Sequence, residues 1–157
     1  MKILVTGSNG QLGSELRFLS TIYKSFDWIF KDKNNLDISD LLNLESKLNI
    51  ISPDIIINCA AYTNVEKAEF NREISNKVNN NAVSIIAKWS FINNVKLIHF
   101  STDYVYSGNS KKPIMESQIT NPINYYGITK LFGDNVCQEN NPNSVIIRTS
   151  GNFSVYG

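Results

Sequence analysis

The feature that most constrains this chain stands at its start. Lys2-Ile3-Leu4-Val5-Thr6 is a short apolar and β-branched run that gives way at once to Gly7-Ser8-Asn9-Gly10-Gln11-Leu12-Gly13. Gln11–Ser20 then repeats Leu12, Leu16 and Leu19 at helical spacing. A buried strand, a glycine turn and a helix in immediate succession commit the chain to a βα unit. Each glycine has its own mechanical task. Gly7 permits the tight turn, Gly10 lets a pyrophosphate approach the backbone, and Gly13 brings the helix close to the strand. The free N–H groups of the helix start suit an anion. The Gly-Lys-Ser/Thr ending of a Walker A loop is absent.

The rest of the chain keeps the same alternation. Trp28-Ile29-Phe30 reads as a second strand. Ser39–Asn49 reads as a helix with Ser39 or Asp40 at its N-cap. Pro53 breaks the chain before Ile55-Ile56-Ile57, whose unbroken apolar run fits a strand buried on both faces. The pattern predicts a helix over Asn76–Asn93, with Val83, Ile86, Ala87 and Ser90 on one side. It then predicts a strand at Lys96–Phe100, a helix at Tyr125–Asn140 and a strand at Ser144–Arg148. Lys111-Lys112-Pro113 and Thr120-Asn121-Pro122 mark a loop after the fourth strand. Strands alternating with helices imply right-handed crossovers and an α/β fold, a doubly wound parallel sheet with helices on both faces.

The carboxyl ends of these strands carry the candidate chemistry. Asp37-Ile38 could face an adenine, or Asp37 could cap the following helix. Lys31, Asp32 and Lys33 follow the second strand where a ribose would sit; Asp favours a free 2′-hydroxyl and Lys a 2′-phosphate, so the choice stays open. Asn58-Cys59-Ala60-Ala61-Tyr62-Thr63 offers small residues against which a flat cofactor can lie. Ser101-Thr102 puts hydroxyls after the fourth strand. Tyr126 and Lys130 form a YxxxK pair on one helix face. A nearby ammonium is expected to stabilise phenolate and pull the tyrosine down, making Tyr126 a general acid for carbonyl reduction. His99 reads as a packed sheet histidine, Cys137 as a small buried hydrophobe, and Cys59 as a neighbour of the cofactor.

Together these segments resemble the extended short-chain dehydrogenase/reductase superfamily, and within it the dTDP-4-dehydrorhamnose reductase family. The matching stretches are Thr6–Gly13, Leu36–Ile38, Pro53–Glu69, Ser101–Gly108, Asn124–Asp134 and Ile147–Ser150. AAYTNVEKAE within the third is the most specific. The resemblance implies a Rossmann-like domain binding NADPH or NADH through Gly7, Gly10, Gln11, Leu12, Gly13, Asp37, Ile38, Ala60, Ala61, Tyr62, Tyr126 and Lys130. It implies a catalytic trio. Thr102 would bind the substrate carbonyl, Tyr126 would bind it and donate the proton, and Lys130 would tune Tyr126 and hold the nicotinamide ribose. The implied substrate is a dTDP-linked 4-keto-6-deoxy sugar. Glu15 by itself reads as a solvated residue near the positive end of the first helix; by the resemblance it matches a position where some family members contribute a carboxylate to a magnesium site at a dimer contact, which implies Mg2+ and a homodimer.

Composition excludes other classes. Fifteen Lys+Arg against 14 Asp+Glu leave a net charge of +1, so nothing electrostatic points to nucleic acid. No window approaches the ~20 apolar residues of a membrane span, and the start is too short for a signal peptide. Two cysteines in unrelated contexts fit a reducing cytoplasm. The 157 residues suffice for one domain. On the resemblance, residues 1–157 are the cofactor-binding half, carrying the catalytic residues and ending after about five strands, with the C-terminal substrate-binding part absent. Weak or no turnover by the chain alone is expected. A Trp that the family places after Arg148-Thr149-Ser150 is missing, since Gly151-Asn152-Phe153 stands there. The alternatives are an epimerase or dehydratase of the same superfamily, or a non-catalytic dinucleotide-binding regulatory subunit.

Overall fold

The computed structural model describes residues 1–109 and 112–156; Lys111 of the expected loop and the terminal Gly157 lie outside them. Five strands form one wholly parallel sheet: β1 (Lys2–Thr6), β2 (Asp27–Lys31), β3 (Ile55–Asn58), β4 (Lys96–Thr102) and β5 (Val145–Thr149). Their spatial order is β2-β1-β3-β4-β5. In register, Val5 stands opposite Phe30 of β2 and Ile57 of β3, and Phe100 of β4 opposite Ile147 of β5. The winding direction reverses between β1 and β3. The crevice beyond the carboxyl ends of those two strands is therefore where an open α/β sheet takes its ligand.

The period-2 alternation of strand side chains feeds two cores. Leu4, Ile56 and Leu97 point to one face and pack with Leu44 and Leu48 of α2 (Leu41–Ile51), and with Val83, Ile86, Ala87 and Trp89 of the helix after β3. Cys137 of α6 (Tyr125–Asn140) closes this core. Ile3, Val5 and Ile57 point the other way, toward Leu16 of α1 (Gln11–Ser20) and Phe30, Ile98 and Phe100. Leu4, Leu44, Leu48, Ile56 and Ile86 are wholly buried. Each contributes about 1.5–3 kcal/mol by leaving water. Helices thus cover both faces, as the pattern predicts.

Strand and helix bounds fall within a residue or two of expectation, with three differences. α2 begins at Leu41 rather than Ser39. Asp40 occupies its N-cap position without capping the backbone, because its carboxylate accepts from Asn43 Nδ2 and Lys47 Nζ instead. The expected Asn76–Asn93 helix starts earlier, as α4 (Arg72–Asn76), and passes through a π-helical turn at Lys77–Asn81 into α5 (Ala82–Ile92). Two single turns escaped the sequence pattern. One is α3 (Val65–Ala68), capped by Asn64, whose side chain accepts from Lys67 N; the other is a 3-10 turn at Asp103–Val105. Among the described residues, no helix is long and apolar enough to cross a membrane.

Candidate cofactor and catalytic site

A cleft of about 630 Å3 opens at the reversal point. One end is the glycine turn. Gly7 has φ +63°, and a Cβ there would stand 2.7 Å from the Ala60 backbone N and Cα. At Gly13 a Cβ would stand 2.6 Å from the Gly7 carbonyl oxygen and from Ser8 Cα. Gly10 borders open space except for the Gly7 oxygen, which would lie 3.3 Å from a Cβ at this position. The three tasks assigned from spacing are thus separable in space: left-handed turn, open approach, close helix packing. The α1 N-terminus has Gly10 at its cap with no side-chain cap, and Gly10, Gln11, Leu12 and Gly13 all line the cleft. The Gln11 amide also donates to the Asn152 carbonyl at 3.0 Å, laying the segment after β5 across this end.

Beyond β2 the cleft is bordered by Asp32, Lys33, Leu36, Asp37 and Ile38. Asp32 is anchored from both sides. Asn9 of the glycine turn donates to its Oδ2 at 2.8 Å, and Asn35 donates to Oδ1 from its backbone at 3.0 Å and its side chain at 2.7 Å. The Asn35 bonds above all hold this carboxyl below its usual range. Lys31 ends β2 and does not border the cleft, whereas Lys33 does, from an exposed position. Asp37 does not cap α2, because its Oδ1 accepts from Ser39 N and Oγ at 2.8 and 2.7 Å in a local turn. Ala60, Ala61 and Tyr62 follow β3 along the opposite wall.

Thr102, Tyr126 and Lys130 meet at the far end of the same cleft. Thr102 Oγ1 accepts from Tyr104 N at 3.2 Å and donates to Asp103 Oδ1 at 3.4 Å, and the Tyr126 phenol borders the cleft with it. The Tyr104 ring meets that of Tyr126 edge-on at 5.6 Å. Asn124 caps α6 through Gly127 N at 2.7 Å, and Glu69 accepts from Tyr125 N at 2.7 Å, so the first turn of α6 is fixed from two directions. The expected tuning of Tyr126 by Lys130 is not what the structure shows. Burial pushes the phenol up, only partly offset by the neighbouring Thr102 hydroxyl. The ammonium donates to the Phe100 carbonyl of β4 at 2.6 Å instead. Four-residue spacing fixes the shared face of the helix, but the nearest strand carbonyl decides where a buried lysine points. Burial also pulls Lys130 down to about 8.

The remaining candidates divide. His99 is wholly buried and ends a polar chain through the sheet: Thr6 Oγ1 donates to Asn58 Oδ1 at 2.6 Å, and Asn58 Nδ2 meets His99 Nδ1 at 3.1 Å. Burial, reinforced by Lys130, holds it neutral. Cys59 borders the cleft, and burial pushes its thiol up to about 12. Glu15 lies on α1 outside the cleft, and no group of three His, Cys, Asp or Glu side chains suited to a metal gathers among the described residues. Three contributors were missed by sequence reasoning. Asn79 clamps the wall after β3, accepting from Tyr62 N at 2.8 Å and donating to Tyr62 O at 3.0 Å. Asn9 anchors Asp32, and Asp134 lies buried on α6. Only Asp134 had a signal, since it continues the four-residue spacing of Tyr126 and Lys130.

The match to known proteins agrees with this geometry. The model of the family described as RmlD substrate binding domain matches residues 1–157. The chain belongs to that family. As an RmlD-type chain it is 40% identical over 153 residues to the dTDP-4-dehydrorhamnose reductase of Escherichia coli, covering 96% of this chain and 51% of that one. Its fold superposes on a dTDP-4-dehydrorhamnose reductase from Clostridium acetobutylicum with a TM-score of 0.90 at 38% identity, over 94% of this chain and 52% of that one. The reductase of Bacillus anthracis, solved in complex with NADP, gives 0.89 at 35% identity, over 95% and 53%. The chain spans about half the length of the curated relatives it matches.

Proposed function

We propose that residues 1–157 form the NAD(P)H-binding domain, with the proton-delivering residues, of a reductase acting on a dTDP-linked 4-keto-6-deoxy sugar. The observation that carries this reading is one cleft with an anion-ready glycine turn at one end and Thr102, Tyr126 and buried Lys130 gathered at the other. The substrate class comes from the names of the reductase relatives, of which this chain covers about half. A homodimer and a cytoplasmic location belong to the same reading.

The cleft fits a dinucleotide. Backbone packs tightly at Gly7 and Gly13, while Gly10 leaves the turn open to a pyrophosphate. When bound, NAD(P)H supplies the hydride. Thr102 Oγ1 would hold the sugar C4 oxygen, and Tyr126 would pass its phenolic proton to that oxygen as the carbonyl becomes an alcohol. Because burial pushes Tyr126 up, the phenol keeps its proton at neutral pH and serves as acid. Lys130 would exchange its Phe100 bond for the nicotinamide ribose hydroxyls.

Asp32 selects within the cofactor pair. Asn9 and Asn35 fix its carboxylate at the β2 border of the cleft. That position suits a ribose hydroxyl, and the fixed negative charge repels a 2′-phosphate. Titrating the Trp28 and Trp89 fluorescence with NADH and NADPH tests this. Saturable binding is expected, with NADH tighter by about tenfold, the size of one like-charge contact at a protein surface. Silence with both cofactors removes the dinucleotide reading, while tighter NADPH removes only the role of Asp32. Any turnover of a dTDP-4-keto sugar that the chain shows, lost in Tyr126→Phe, separates catalysis from regulatory binding.

A further inference from the structure

α6 carries one polar ladder along its buried face. Tyr126, Lys130 and Asp134 follow one another at four-residue intervals and so stack on one side of the helix. Asp134 and Lys130 are each 2% exposed. Asp134 Oδ2 accepts from Arg148 Nε of β5 at 2.9 Å, while Oδ1 is buried without a hydrogen-bond partner. Arg148 Nη1 donates to the Tyr106 hydroxyl at 2.8 Å, and the guanidinium lies 5.4 Å from the Tyr106 ring centre. A carboxylate placed only to anchor an arginine gains most by engaging both oxygens in a fork. Here one oxygen is left over.

An ammonium taken out of water needs a counter-charge or gives up its proton. The titratable groups facing Lys130 are Cys59 after β3, His99 of β4, and Asp134 and Cys137 of α6. Burial pushes both thiols up and holds the imidazole neutral. Among these groups Asp134 alone is an anion. We propose that Asp134 is a positioning residue for Lys130: its buried carboxylate, held by Arg148, which in turn donates to Tyr106, is the counter-charge that keeps an ammonium in the cleft. This rests on the reading of Lys130 as a cofactor ligand given above. Burial is what pulls Lys130 down, and Asp134 is the largest influence pulling it back. The same carboxylate disfavours a phenolate on Tyr126. The Arg148 bond offsets that side effect by placing a cation on the carboxylate.

The ladder is tested without cofactor or substrate. The Cε resonance of Lys130 in lysine-labelled protein, assigned by its loss in Lys130→Met, is followed against pH. Asp134→Asn should move its midpoint to lower pH by about one unit or more, a tenfold change in the ionisation equilibrium. Arg148→Gln, which removes the competing cation, should move it upward, and Asp134→Glu should return it toward the parent value. A midpoint unmoved in Asp134→Asn overturns the proposal, even if both variants melt earlier as a purely structural pair would. Should Asp134→Asn not fold, Arg148→Gln decides: an upward move supports the counter-charge, and no move or a downward one overturns it. NADH titration of the parent chain stands apart, because its failure removes the cofactor reading and leaves the lysine titration readable.

Discussion

Gly7 shows how much one position can decide. Its φ of +63° is in the left-handed region, and the Ala60 backbone fills the space where a side chain would begin. Gly7→Ala combines conformational strain with a backbone collision, so a loss of about 2–4 kcal/mol is expected in urea denaturation. A change below about 1 kcal/mol would mean that the turn can move away from β3. Lys130 makes the opposite prediction. The unfolded chain holds this proton to about 10.5 and the folded chain only to about 8. Between those values the unfolded state binds more protons, so stability rises with pH, and the full cost of burial is present below pH 8. Lys130→Met should therefore stabilise the protein at pH 7 by about 1–3 kcal/mol and flatten the rise between pH 8 and 10.5. Denaturation curves at pH 7 and pH 10 read both effects; equal stabilisation at the two values would contradict the buried charge. The sequence made Lys130 legible as a site residue through its spacing from Tyr126. It could not reveal that the ammonium reaches the Phe100 carbonyl, because that acceptor is 30 residues away on another element.

At the scale of elements, legibility followed how local the cause is. α6 spans Tyr125–Asn140 as the pattern predicts, because a side-chain cap at Asn124 starts it and Pro142 lies just past its end. The helix after β3 was misread at its start because its irregularity is tertiary. The π-helical turn presents Asn79 to Tyr62 on one side and to Thr129 Oγ1 of α6, 3.1 Å away, on the other. The Asn79 carbonyl also sits where a side chain at position 133 would begin, so Gly133 lets α6 close on the turn. Such turns insert one residue where a site needs a side chain redirected. Asn79→Ala would strip the Tyr62 N–H and carbonyl of their partners and should cost about 1–3 kcal/mol. Hydrogen exchange locates the loss. The Tyr62 amide should exchange much faster while the amides of β3 keep their protection, and uniform acceleration across both would show that Asn79 supports the whole fold.

Across the whole molecule, the alternation of strands and helices was enough to predict a parallel sheet. The doubly wound reading also implied a reversal of winding; that it falls between β1 and β3 depends on which crossovers pass over which face. That reversal makes the cleft a meeting place of elements distant in sequence: the turn after β1, Asp32 after β2, Ala60–Tyr62 after β3, Thr102 of β4 and the first turns of α6. None of these segments is covalently tied to the next. Two edges flank them, and at β5 Val145 and Ile147 stand 53% and 37% exposed. A ligand spanning the cleft therefore acts as a cross-link that the unfolded chain cannot bind. NADH at 100 times its dissociation constant should add about 2.7 kcal/mol. For a domain of this size that raises Tm by about 5–10 °C. AMP reaches only the glycine turn and the Asp32 end, so it binds more weakly and should raise Tm by less than half as much at the same concentration. Thermal melts with NADH, AMP and no ligand compare the three. Equal shifts from NADH and AMP would place all of the binding energy at the adenosine end and leave Tyr126 and Lys130 outside the bound cofactor.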